Sequence, residues 1–222
     1  VNLTRVIAPA CEPVTLAELK EDLRLLSAGQ DALLTRIISA ARLRAERYCN
    51  RGFINSTWEA TFVSWPTACA GASWPASRFS GRALLLPRGT VQAVTWVKYL
   101  DAAGAQQTFA SSSYTVDSDA LPGRIVLKPS ESWPSLGDYP SAVRVRYEAG
   151  YAPTGTTAAA DLRAAVPESV RLAIRFLAAH YFSNPAPVVT GTIATPIPEH
   201  AMNLLNDERL HSFGFTDEEA TA

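Results

Sequence analysis

Residues 31–51 read DALLTRIISAARLRAERYCNR. Leu34, Ile37, Ile38, Ala41, Ala45 and Tyr48 recur at helical spacing and form one apolar stripe. Asp31 offers an N-cap carboxylate to the free N–H groups of the first turn, and Gly52 stands where a left-handed residue can close the last. At about 100° per residue, Leu43 falls on the opposite face among Arg36, Ser39 and Arg47. A leucine there is either an isolated exposed apolar residue, which soluble proteins tolerate, or a contact with another chain.

Working outward, Thr15 and Glu18 have the spacing of a capping box. Leu16, Leu19, Leu23 and Leu26 then give a short helix ending near Ser27. The Gly29-Gln30 link is brief, so this helix and the one from Asp31 form a helical hairpin. Neither helix is long enough to be stable alone in water, so the shared apolar seam holds them. Residues 1–13 carry Pro9 and Pro13 and read as extended.

Beyond Gly52 the period changes to two. Trp58, Ala60 and Phe62 alternate with Glu59 and Thr61, and Val143, Val145 and Tyr147 alternate with Arg144, Arg146 and Glu148. Between them lie Ala83–Leu86, Val91–Leu100, Gln106–Ala110, Tyr114–Val116 and Ile125–Leu127, separated by turn signals at 101–104 and 121–124. Short turns make antiparallel neighbours with one face on a core. Residues 64–81, with two Trp-Pro pairs, read as a long loop whose tryptophans pack locally. Residues 152–166 read as a flexible crossing.

A second strong helix begins at Pro167, with Glu168 beside its positive end, and runs to about Phe182. Val170, Ile174, Leu177 and Tyr181 form its main stripe, while Leu172, Phe176 and Ala179 lie on roughly the other side. Burial is therefore expected on two sides. The Pro- and Thr-rich 185–198 reads as an extended arm. A last short helix from Pro198 to about Leu210 carries Met202, Leu205 and Leu210, and an acidic tail follows Phe213 and Phe215. Those two phenylalanines are poorly placed on a solvated tail and suggest docking onto something.

With 222 residues, 47% hydrophobic and 18% charged, and a net charge of −1, the composition is that of an ordinary soluble protein, α+β in class. The near-neutral balance argues against a dedicated nucleic-acid binder. Cys11, Cys49 and Cys69 contain no CxxC pair, so a zinc site or redox dithiol has little support, and free thiols in a reducing compartment are expected ahead of a disulfide. No apolar run approaches the ~18 residues of a membrane span, and the first residues lack the regions of a signal peptide. The default address is the cytoplasm.

Catalytic signatures are absent from the sequence: no G-x-S-x-G, no phosphate-cradling glycine loop, and no i, i+4 metal pair from His200 and His211. His180 reads as a packed or interface histidine. The arginines at 36, 42, 44, 47 and 51, beside Glu46, read as a solvated or salt-bridged surface ahead of a nucleic-acid site. No catalytic, cofactor or metal residue emerges. A hydrolase using Cys49 or His180 is the competing class.

The order of segments carries more than any one of them. PVTLAELKEDLRL, DALLTRIISAARLRAERYCNRGFI, STWEATF, ALLLPRGTVQAVTWVKYLDAAGAQQTF, SYTVDSDALPGRIVLKPSESWP, VRVRYEAGY and VPESVRLAIRFLAAHYFSNP follow one another over residues 12–210. In this order they resemble the head–tail connector (adaptor) proteins of long-tailed bacteriophages and of phage-derived gene transfer agents. The shared features are the T-L-x-E-x-K start, the A-E-x-Y-x-x-R-x-[FI] helix end, L-P-x-x-x-V-x-x-V, P-G-R-I, V-x-[FY]-x-A-G-Y and the VPESVRLAI helix.

The resemblance implies a small helical bundle with an antiparallel β insertion. The bundle takes the hairpin of 1–52 and the crossing loop and helix of 152–184. Residues 53–151 form the insertion, and 185–222 form the arm, short helix and acidic tail. It implies a homo-oligomeric ring, commonly dodecameric, under the portal protein in the virion neck, where a stopper or tail-proximal protein attaches and DNA passes. Near-neutral charge suits a lumen without specific DNA binding. By position Met202, Leu205, Leu210, Phe213 and Phe215 form the portal-binding arm. Leu43, Arg36, Arg47, Leu172 and Phe176 are then candidates for the subunit interface, since a cyclic assembly needs two different patches. Another neck or tail component, such as a stopper or tail terminator, is the alternative within the same setting.

Overall fold

The structure is a computed structural model describing residues 1–66, 81–151, 158–184 and 199–210. The described residues divide into two compact units, one containing Val1–Pro9 and Asn55–Gly150 and the other Ala10–Ile54 with Tyr151 and residues 158–184 and 199–210. The class is α+β, as expected.

The β unit holds a five-stranded antiparallel sheet of β1 (Asn2–Ile7), β2 (Ser56–Phe62), β8 (Val143–Ala149), β4 (Val91–Leu100) and β5 (Gln106–Phe109), in that spatial order. A three-stranded sheet of β3 (Ala83–Leu85), β7 (Arg124–Leu127) and β6 (Tyr114–Asp117) completes it. In β2 and β8 every second residue is buried, so period-two alternation decides which face each side chain takes. Trp58, Ala60 and Phe62 share the core with Val143, Val145 and Tyr147. On the opposite face of the pair, Glu59 meets its register partner Arg146 at 2.7 Å. The β4–β5 hairpin turns on Asp101, whose Oδ1 accepts from the Ala103 and Ala105 N–H groups, with Gly104 at φ +80. The extended N-terminal stretch is a strand: Asn2–Ile7 pair antiparallel with β2, and Val1–Pro9 group with the β unit and not with the helical hairpin.

Of the long loop, residues 67–80, with Trp74 and Cys69, lie outside the described residues. Trp65 packs not within the loop but against residues distant in sequence. It stacks on Trp133 at 4.5 Å between centroids, and its Nε1 donates to the Pro134 carbonyl at 2.9 Å.

The helical unit contains α1 (Leu16–Asp22), α2 (Asp31–Cys49), α3 (Ala159–Ala164), α4 (Glu168–Ser183) and α5 (Glu199–Asn206). The capping box forms as expected: Thr15 N donates to Glu18 Oε2 at 2.7 Å, and Glu18 N to Thr15 Oγ1 at 3.2 Å. Several boundaries differ from the reading. α1 stops at Asp22, because Arg24 takes a left-handed conformation, and Leu26 is left fully exposed. Gln30 precedes α2 and makes no side-chain cap, while the Asp31 carboxylate pairs with Lys20 at 2.8 Å. Asn50, not Gly52, is the left-handed residue closing α2. Pro167 is the N-cap of α4 rather than its first residue. Within the expected crossing, residues 159–164 are helical, and 152–157 lie outside the described residues.

Leu34, Ile38, Ala41 and Ala45 of α2 pack with Val170, Ala173, Ile174 and Leu177 of α4 in one core. Ala201 and Leu205 of α5 are fully buried in the same core. The apolar stripes of α2 and α4 cover each other, which answers why neither helix needs to be stable alone.

Candidate assembly surfaces

The five arginines of the α2 region separate into two kinds. Arg42 is buried: its Nε donates to Glu12 Oε2 at 2.6 Å and its Nη1 to Glu46 Oε2 at 2.9 Å. Ser39 Oγ also donates to Glu12, and Glu46 Oε1 accepts from the Phe53 N–H at 3.3 Å. Burial alone lowers the Arg42 pKa, but its two carboxylate partners reverse this and raise it. Arg51 is likewise buried, donating to Glu208 Oε2 at 2.7 Å with its guanidinium 4.5 Å from the Tyr151 ring centroid. Such buried, ion-paired guanidiniums organise the chain around them and are not available to another molecule.

Arg36, Arg44 and Arg47 are exposed, together with Leu33, Ala40 and Leu43. At helical spacing these six residues share one face of α2, turned away from the core. Leu33 and Leu43 keep 42% and 40% of their surface exposed, which makes them more than incidental edges of a solvated helix. Among the described residues, no carboxylate pairs with Arg36, Arg44 or Arg47; Arg36 Nε reaches only the Ala32 carbonyl of its own helix. Leu43 thus lies on an exposed face of α2 that Leu33 shares.

The other expected contacts distribute differently. Phe176 is half-buried and meets the His200 ring of α5 edge-on at 4.8 Å. Leu172 is half-buried on α4. Leu205 is a core residue and Met202 packs against that core, so both belong to the helical unit. Leu210 is half-buried and its N–H donates to the Cys49 carbonyl at 2.9 Å. Phe213, Phe215 and His211 lie outside the described residues.

α5 is clamped to the end of α2 by more than apolar contact. Tyr48 OH donates to Asn206 Oδ1, Tyr151 OH to Glu208, and the Cys49 thiol to the Leu205 carbonyl at 3.5 Å. Burial pushes the Cys49 thiol up to about 12, with Glu208 adding to the rise and Arg51 and Arg209 opposing it. A thiol so far above neutrality is not a nucleophile. Of the two adjacent acids that follow α5, Asp207 is exposed, while Glu208 is half-buried and pairs with Arg51.

His180 is half-buried near the end of α4, beside Asn184. Among the described residues, no group of three or more His, Cys, Asp or Glu side chains could hold a metal ion. Among them too, no helix is long and apolar enough to cross a membrane.

The whole chain matches solved structures. It aligns with a chain in the neck of an empty gene transfer agent particle computed with C6 symmetry, at TM-score 0.71 and 21% identity, over 97% of this chain and 99% of that one. The two chains share a fold. Similar matches, both at 21% identity and with the same coverage, are to chains of the virion of a native gene transfer agent particle (TM-score 0.69) and of the neck of a native particle computed with C12 symmetry (TM-score 0.67). No protein-family model and no curated protein matches the chain.

Proposed function

We propose that this chain is a structural subunit of a virion neck, the head–tail adaptor of a long-tailed phage or a gene-transfer-agent-like particle. Its copies form a ring, dodecameric in this reading, beneath the portal protein, and a stopper or tail-proximal protein attaches below. DNA passes through the lumen without specific binding. The role is assembly rather than catalysis, and it calls for no cofactor. The observation that carries the reading is the end-to-end likeness, 97% of this chain against 99% of the neighbour's, to a chain of a particle neck. An isolated shared domain would match only a part. The free face of α2 supports it, because a cyclic assembly needs a patch on each side of the subunit.

The portal-contacting arm in this proposal is residues 211–222, with Phe213 and Phe215 as its apolar anchors. Removing 211–222 leaves Leu205 in place and should leave the helical unit folded while abolishing capture of the portal protein. Undiminished portal capture by the truncated chain would refute the arm. Particles made without the protein should have heads but no attached tails, and tailed, infectious particles would dispose of the adaptor role altogether. A stopper or tail terminator would instead bind its neck or tail neighbour and ignore the portal.

A further inference from the structure

The free face of α2 has a counterpart on the same unit. α5 turns Ala201 and Leu205 inward and exposes Glu199 and Asn203, and Asp207 is exposed in the turn that follows. Among the described residues, neither Glu199 nor Asp207 has an ion-pair partner. Arg36 and Arg44 lie eight residues apart, roughly 12 Å along α2, and Glu199 and Asp207 have the same sequence spacing, one at the start of α5 and the other in the turn after it. One stripe carries cations flanking an apolar residue, and the other carries anions flanking a small polar one.

We infer that these stripes bind each other between neighbouring copies: the Arg36/Arg44/Arg47 face of one subunit against the Glu199/Asp207 face of the next. The inference rests on the ring reading above and names the surfaces that close it. Different patches meeting head to tail make a heterologous contact, the kind that generates a ring. The occupant is protein rather than nucleic acid because Leu43 stands between the guanidiniums and Leu33 extends the same exposed face beyond Arg36. Arginines interleaved with exposed leucines have the makeup of a protein interface, in which Arg is enriched, whereas a phosphate track is read by polar and basic groups alone. Exposed charge pairs are screened by salt, so the association weakens as ionic strength rises.

The test uses the full chain supplied to particles that lack it. One variant combines Arg36→Glu, Arg44→Glu and Arg47→Glu; a second combines Glu199→Arg and Asp207→Arg; a third carries all five. All these positions are exposed, so the far-UV circular dichroism of each should match wild type. Each of the first two should occupy the neck at about one tenth of the wild-type copy number or less, since like charges face each other, and the third should recover occupancy. Wild-type occupancy by either of the first two overturns the pairing. So does failure of the third to recover. Normal rings that lose only DNA retention in the arginine variant would make the face a phosphate contact, also against the inference. In the wild-type background, oxidation of Ala40→Cys with Asn203→Cys should give a ladder of disulfide-linked copies from purified particles. A chain present in the neck without that ladder overturns the pairing alone, while a chain absent from the neck overturns the ring reading beneath it.

Discussion

Replacing Leu205 by alanine separates a core residue from an arm residue. Leu205 is fully buried in the helical unit. Truncation to alanine removes roughly three methylene equivalents, about 2.4 kcal/mol at ~0.8 kcal/mol each. The cavity left behind adds roughly 24 cal/mol per Å³ that the surroundings fail to fill, so a total of about 3–4 kcal/mol is expected. That is a large share of the 5–15 kcal/mol that typically holds a domain together. Two probes read the two units separately. All five tryptophans fall between Asn55 and Gly150, so their fluorescence follows the β unit, while the helical circular dichroism follows the other. In urea, the circular dichroism midpoint should fall and the fluorescence transition should change less. Asn203→Ala, on the exposed side of α5, should stay within about 0.5 kcal/mol of wild type. A Leu205→Ala protein with an unmoved circular dichroism transition would show that α5 is not part of the core.

Other outcomes follow from the same geometry. Leu43→Asp should fold with wild-type stability, because the side chain touches no core, yet occupy particle necks poorly; normal occupancy in negative-stain and copy-number measurements would leave Leu43 a stray surface leucine. Burial of Glu18 works to raise its pKa, but the Thr15 hydrogen bonds and the Arg171 and Arg175 charges outweigh it and lower it. A depressed carboxylate stabilises above its unfolded pKa and loses that contribution as pH falls through the folded value, so acid should weaken the helical unit. Glu18→Gln should flatten this acid dependence of the urea midpoint, and an unchanged pH profile would contradict the role given to Glu18. The Cys49 thiol, held up near 12 and fully buried, should resist alkylation at pH ~8 until the unit unfolds. Rapid labelling of Cys49 in the native chain, seen by peptide mass mapping, would reopen the case for a reactive cysteine.

What the sequence revealed, it revealed through short-range regularities. The stripe of α2 has the 3.6-residue period, and it is buried as expected at Leu34, Ile38, Ala41 and Ala45. β8 alternates cleanly because one face of the sheet is core and the other solvated. Thr15 and Glu18 stand three apart, a distance at which chemistry alone decides the bond. Partners far apart in the chain were not legible. Arg42 meets Glu12 across thirty positions and Arg51 meets Glu208 across 157. Nothing local distinguishes these arginines from the exposed Arg44 and Arg47. α5 itself was legible as a short helix, but its place was not: only the tertiary contacts of Ala201 and Leu205 put it in the core. Asn50 and Gly52 can both adopt the left-handed conformation, so the end of α2 was ambiguous by two residues. α3 did leave a signal, the alanine-rich AAADLRAA, since alanine is the strongest helix former.

The most direct test of the neck assignment is cryo-electron microscopy of the particle neck at a resolution that traces side chains. The account predicts this chain as a closed ring between portal and tail, with Leu43 and its flanking arginines buried at each subunit boundary. A neck without this chain, or a ring in which the α2 face looks into solvent, would contradict it.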